Sequence, residues 1–331
     1  MGSKRLVWAD SLKGILILLV VLGHSIQYTI GDGCYFNHLW NVIYSFHMPA
    51  FMAVSGFLAY RVGGASSVGA IIWRRFRQLV VPYLLWTFLL MIIGGNLNVN
   101  RIHDLLMYPD KGLWFLWVLF FITAAFQLCG WLAEKTKIKQ EWIVVAVGLA
   151  FSATMVAFKT SLLGIQYIAY YFIFYALAFY FHKYYNKLSN VNNWVLVLLT
   201  VIWGFLAWHW NMQDAPSVVS WVPLPATIVL YLYRFVTAII AIYVLLVAMP
   251  KLIDSMSFWN KPLVNLGQIS LGIYSVNFLA LANIVPKMKD IGMSTGTVIF
   301  LSFILATLCA WFVIWLLSKW KVTATWLLGK V

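Results

Sequence analysis

About ten apolar stretches occupy almost the whole chain, at roughly 7–30, 39–60, 77–95, 112–133, 142–158, 162–182, 194–211, 226–249, 263–285 and 296–318. Each is near the ~20 residues that an α-helix needs to cross a bilayer's hydrocarbon core. A backbone inside lipid must satisfy its own N–H and C=O groups, which leaves helices and closed barrels. These runs have no strand alternation, so the expectation is an all-α, polytopic membrane protein of about ten transmembrane helices. Charged residues make up only 10% of the 331, against 63% hydrophobic. A soluble domain carries about a quarter charged residues. Residues 1–331 therefore read as a single transmembrane domain.

The formal net charge of +14 would suggest nucleic acid in a soluble protein. Here the basic residues fall in short clusters between apolar runs, so no nucleic-acid partner is expected. One set of alternate breaks holds sixteen Lys and Arg, including Lys4, Arg5, Arg61, Arg74, Arg75 and Arg77. The other set holds five: Arg101, Lys111, Lys159, Lys287 and Lys289. That bias places both termini in the cytoplasm. Lys4 and Arg5 precede an apolar run as in a signal peptide, but the run contains Asp10, Lys13 and His24 and no small-x-small site follows. It reads as an uncleaved first helix. Cys34, Cys129 and Cys309 are far apart and lack CxxC spacing, which argues against a disulfide framework or a zinc site. No metal is expected.

A charge at the bilayer centre costs at least about 2.5–3.5 kcal/mol on insertion scales, so ionisable groups within spans are functional candidates. The first span carries three. Lys13 and His24 are eleven residues apart, three helical turns plus roughly 20°, and so share one face about 16 Å apart along the axis. Asp10 precedes Lys13 by three residues, the spacing of a helical ion pair. Taken singly, Lys13 is a snorkelling lysine, Asp10 its counter-ion and His24 a satisfied interior group. On one stripe, in so charge-poor a chain, they point to a functional face that lines a protein interior or a wet cavity.

Two further segments and one late span carry polar groups. In YSFHMPAFMAVSGFLAYR (44–61), His47 precedes Pro49 within an apolar run, and Ser55 and Gly56 lie about two turns beyond. A packing kink accounts for the proline and glycine but less well for His47. In WRRFRQLVVPY (73–83), Arg74, Arg75 and Arg77 form a cluster whose guanidinium forks match phosphate oxygens. Positive-inside signals held by anionic lipid are the equal alternative. Within later spans, Arg234 can either bind an anionic acceptor or pair with a carboxylate such as Asp214. Tyr274 and Asn277 are the other polar groups singled out. Trp114 and Trp117 read as interface anchors.

DSLKGILILLVVLGH resembles the opening of the membrane acyltransferase-3 family, which includes O-acetyltransferases of bacterial surface polysaccharides. That family shows a basic residue, ten positions, then His, here Lys13 and His24. FHMPAFMAVSGFL and the Arg-rich stretch ending in Pro-Tyr are similar to its second and third motifs. GQISLGIYSVNFL is similar to a late motif that usually ends in His, where this chain has Asn277. The resemblance implies an acetyl-CoA or related acyl-CoA donor entering from the cytoplasm, and a hydroxyl acceptor on a lipid-linked or exported glycan. It implies a bacterial cytoplasmic membrane. Arg74, Arg75 and Arg77 would hold the CoA phosphates, and the pantetheine arm would pass Lys13 and Asp10 to reach His24.

His24 would serve as general base, for which imidazole suits, or as a covalent acyl carrier. Ser55, Asn277 or a backbone amide would supply the oxyanion donor, and His47, Arg234 and Tyr274 would face the acceptor. The competing class is a transporter or glycan flippase using Lys13, His24 and Arg234 as a path. Such folds often show paired, Gly/Pro-broken repeats, which this sequence does not display clearly.

Overall fold

A computed structural model describes residues 6–60, 67–95, 98–109, 112–158, 162–253 and 257–330. Lys4, Arg5, Arg61, Lys111 and Lys159, used above for orientation, lie outside the described residues. The described chain is helical, with no strand among the described residues. In order come α1 (Val7–Ile30), α2 (His38–Tyr44), α3 (His47–Ala59), α4 (Val68–Arg75) and α5 (Val81–Ile93). There follow α6 (Val99–Met107), α7 (Trp114–Thr136), α8 (Gln140–Phe158), α9 (Ile165–Lys183), α10 (Tyr185–Leu188) and α11 (Asn193–Trp208). The last are α12 (Ala226–Ile253), α13 (Ser257–Gln268), α14 (Ser270–Asp290), α15 (Thr295–Leu317) and α16 (Lys321–Trp326).

Among the described residues, eight helical segments are long and apolar enough to cross a membrane, and α8 and α11 are shorter apolar helices at the two remaining sequence-predicted spans. The protein is an all-α polytopic membrane protein. Its apolar side chains do not all turn inward. Val197, Leu198, Val201 and Phe205 of α11, and Phe300, Leu308 and Phe312 of α15, are exposed. Such continuous apolar surface belongs against lipid.

Two compact units share the chain. One comprises 1–54 and 184–313, the other 55–183 and 314–331, so the boundaries fall inside α3 and α15. In the first unit α1 is central and packs on α13, α14, α12 and α2. Its contact with α13 is backbone to backbone. A Cβ at Gly14 would collide with the Leu263 carbonyl, and one at Gly267 with the Asp10 carbonyl. Small residues that let helices approach this closely are what membrane packing favours, since lipid supplies no hydrophobic drive between helices.

In the second unit α7, α8 and α9 pack together, and α4 with its continuation packs on α7. Gly56 of α3 meets the Tyr175 carbonyl of α9, where a Cβ would collide. The close approach that Gly56 permits is therefore made by a helix backbone. His182 of α9 adds a second tie to α3, its Nδ1 lying 2.7 Å from the Phe57 carbonyl and its ring stacked on Phe57.

Three span boundaries differ from the sequence reading, each for a local reason. The stretch 39–60 is two helices, because a turn at Ser45 and Phe46 restarts the chain at His47. Pro49 then lies in the first turn of α3, where a missing N–H costs no intrahelical bond. The stretch 263–285 is also two helices, α13 and α14, separated at Ile269. The third span begins at Val68 rather than 77, so the arginines ride on helix.

Between α4 and α5 the helix widens to a π-type turn over Phe76–Val80, and the Val81 N–H reaches back five residues to Phe76. Pro82 has no N–H for the Gln78 carbonyl four residues earlier, which accounts for the change of pitch. The C-terminal segment docks there, with Gly329 (φ 62) against the Gln78 carbonyl and Trp86 Nε1 donating to the Leu327 carbonyl.

The Gly267 contact yields a stability prediction. Gly267→Ala should lower the thermal midpoint of the detergent-solubilised protein, at an overpacking cost of about 1–3 kcal/mol. Gly204→Ala on α11, with no atom within 4 Å of the new Cβ, should leave the midpoint unchanged or raise it slightly.

Candidate active site

Because α1 runs unbroken from Val7 to Ile30, Asp10, Lys13 and His24 keep the shared face expected from their spacing. That face is turned toward protein. Asp10 is 4% exposed and its Oδ1 lies 2.7 Å from Lys13 Nζ, forming the i,i+3 ion pair. Lys13 stays partly accessible, with 23% of its side chain exposed.

His24 is half-buried about three turns further along the stripe, on the same helix face but against α14. Its Nδ1 lies 2.7 Å from Asn277 Oδ1. Asn277 is fully buried, and its Nδ2 lies 2.9 Å from the Ile273 carbonyl and 2.6 Å from the Tyr274 carbonyl. The next residue on α14, Phe278, sets its ring 4.3 Å from the imidazole at 37°. A buried polar group left without its partner costs about 1–3 kcal/mol, so histidine and asparagine stabilise one another as well as fixing their geometry.

Other polar residues of the first unit have partners of their own. His47 is 2% exposed, and its Nδ1 donates to the Ile43 carbonyl at 2.7 Å. The Tyr44 ring lies edge-on to His47 at 4.6 Å and also abuts Gly23, the residue before His24. Tyr274 is buried one turn before Phe278, their rings 6.0 Å apart. Arg234 stands over the rings of Trp210 at 5.4 Å and Tyr231 at 5.7 Å, which gives the cation an aromatic seat.

The arginine cluster belongs to the second unit, where a cavity of about 400 Å³ opens beside it. Arg74 and Arg75 line this cavity together with Lys183, Gln127, Gln140 and Glu134. The Lys183 Nζ is held 2.6 Å from Glu141, and Arg75 donates to the Gln78 side chain at 3.1 Å. Arg77 is aimed elsewhere, its guanidinium 6.0 Å from the Trp73 ring. Two guanidinium forks, an ammonium and two amides beside aromatic walls are a donor set that fits phosphate and nucleotide groups. Ser55, at the start of this unit, is half-buried on α3. Trp117 donates to the Leu163 carbonyl at 3.0 Å and Trp114 stacks on Tyr167 and Tyr171, so both serve packing in this unit.

Sequence reasoning singled out Asn277 without seeing that it grips His24, since the two are 253 positions apart. It missed Lys183, Gln127 and Gln140. Gln127 alone left a signal, as an amide inside the apolar 112–133 run.

The acyltransferase domain family matches residues 6–316 of the sequence, nearly its whole length. The chain belongs to the acyltransferase-3 family. Among curated relatives it is similar to the nodulation protein NolL of Mesorhizobium japonicum, 31% identical over 210 residues, or 60% of this chain and 54% of that protein. It is similar to NolL of Sinorhizobium fredii at 31% over 199 residues, 57% of this chain and 52% of the relative. The chain thus spans about half the length of the curated relatives it matches. No solved structure matches it.

The ion pair on α1 can be tested directly. Removing one partner of a fully buried pair costs about 3–5 kcal/mol, and Lys13's partial exposure brings this one nearer ~1–2 kcal/mol. Lys13→Met should therefore lower folded yield and melting temperature, and adding Asp10→Asn should recover part of the loss. Fluorescence-detected size exclusion across a temperature series reads both.

Proposed function

We propose that the protein is an integral membrane O-acyltransferase, acting as an O-acetyltransferase, that moves an acyl group from cytoplasmic acyl-CoA to a hydroxyl of a cell-surface or lipid-linked glycan. The bacterial cytoplasmic membrane is its proposed location, with both termini in the cytoplasm, a placement that the basic-residue bias supports. The observation that carries the reading is the buried Asn277 amide gripping His24 on a membrane helix of an acyltransferase-family chain. The same family membership favours an enzyme over a flippase.

An acyl-CoA supplies an activated thioester. The cavity at Arg74 and Arg75 fits its phosphates, with Lys183, Gln127 and Gln140 as further donors. Arg77, turned to Trp73, contributes mainly to the local field. Lys13, steadied by Asp10, adds positive charge along the face that leads to His24. His24 takes the acceptor hydroxyl's proton as the oxygen attacks the acyl carbon, and returns it to the departing thiolate. General-base assistance contributes about 10²–10⁴-fold. His47, Arg234 and Tyr274 are proposed to face the acceptor. Ser55 or a backbone amide remains the oxyanion donor, because the Asn277 Nδ2 is given to two backbone carbonyls.

The donor site and the base lie in different units, so each is tested alone. Purified protein in nanodiscs is incubated with acetyl-CoA, and free CoA thiol is measured beside acetyl-CoA binding. His24→Gln should lower thioester cleavage by about 10²-fold or more with binding retained. Wild-type turnover in that variant would remove the base. Arg74→Ala/Arg75→Ala should weaken binding by at least ~10-fold, since a hydrogen bond to a charged group contributes about 1.5–3 kcal/mol, and Arg77→Ala should weaken it less. Unchanged binding in the double variant would remove the donor site.

A further inference from the structure

The contact between His24 and Asn277 holds more information than its length. An asparagine amide can be placed two ways round, and its carbonyl and nitrogen look alike unless the surroundings discriminate. Here they do. The atom near the Ile273 and Tyr274 carbonyls faces two acceptors, so it must be the NH₂ group, at 2.9 and 2.6 Å. The atom left facing His24 is therefore the oxygen, which only accepts. Nδ1 of His24, 2.7 Å away, must then carry the hydrogen. In the neutral ring that leaves Nε2 with its lone pair bare.

We infer that Asn277 is the positioning residue of this site, holding His24 as the Nδ1–H tautomer so that Nε2 is the basic nitrogen. The inference deepens the proposal that His24 is the general base, and rests on it for its catalytic consequence alone. The amide cannot rotate away, because both its hydrogens are tied to carbonyls three and four residues back on α14. Turning the imidazole over would bring a carbon to the Asn277 oxygen and lose the bond, and Phe278 packs on the ring at 4.3 Å. Two successive residues of one helix thus clamp the ring by an edge and a face. The partner is uncharged, so it orients the imidazole without placing a fixed negative charge in the membrane interior, where such a charge is costly. Partners that orient metal-bound histidines typically contribute about 10–100-fold, and a loss of similar size is expected for this oriented imidazole.

The test is ¹⁵N-histidine NMR of the full-length protein in nanodiscs, with His24→Gln spectra identifying the His24 signals by difference. Wild-type protein should show His24 in the Nδ1–H form. Asn277→Leu should bring in the Nε2–H form and lower kcat for acetyl-CoA thioester cleavage by about 10–100-fold, with acetyl-CoA KM unchanged. If Asn277→Leu fails to fold, the wild-type spectrum decides the matter. A wild-type Nε2–H signal, or an Asn277→Leu protein with unaltered tautomer and kcat, overturns the inference. Full turnover in His24→Gln would instead sink the base while leaving the tautomer assignment intact.

Discussion

A polar side chain on a membrane helix must be answered by another polar group from the protein, because lipid offers none. The first helix carries three such side chains on one face, and the arrangement of its unit follows from answering them. Asp10 and Lys13 answer each other along the helix. His24 draws its partner from 253 positions away. For Asn277 to reach it, α13 and α14 must lie hard against α1. Gly14 and Gly267 permit that, since a side chain at either position would strike backbone. The glycines are therefore the steric condition for the histidine's hydrogen bond.

The second unit solves a different problem, which is to keep several cations together at an accessible cavity. The chain change at Phe76–Val80 is part of the solution. Pro82 forbids the normal bond to Gln78, the helix widens, and Arg74 and Arg75 remain on the cavity wall while Arg77 turns to Trp73. Gln78 also meets Arg75 by its side chain and Gly329 by its carbonyl, so one residue joins the cluster to the C-terminal segment. Lys183 is carried by α9 and held by Glu141 of α8. Lys183 thus reaches the cavity from a different helix than Arg74 and Arg75, and with its own support.

Much of this was legible in the sequence because membrane solvation constrains it strongly. Helix number and class follow from apolar run length. The register of Asp10, Lys13 and His24 follows from 3.6 residues per turn, and the helix is unbroken where that arithmetic needs it. Breaks at Ser45–Phe46 and Ile269 were not legible, since the apolar runs continue straight through them. The hydrogen bond from His24 to Asn277 was not legible either. It is a tertiary contact, and nothing in the local pattern around position 277 says which helix it will face. Lys183, one of the sixteen basic residues counted for orientation, read as a topology signal because its position in the chain resembles that of any basic residue after a span. Its place on the cavity wall is set by the packing of α9.

The most direct single measurement is an experimental density map of the protein in a lipid nanodisc with a non-cleavable thioether analogue of acetyl-CoA. The expected map shows His24 enclosed by α14 with Asn277 at hydrogen-bond distance, and phosphate density against Arg74 and Arg75. A map in which His24 faces lipid, or in which the phosphates sit on other residues, contradicts the reading.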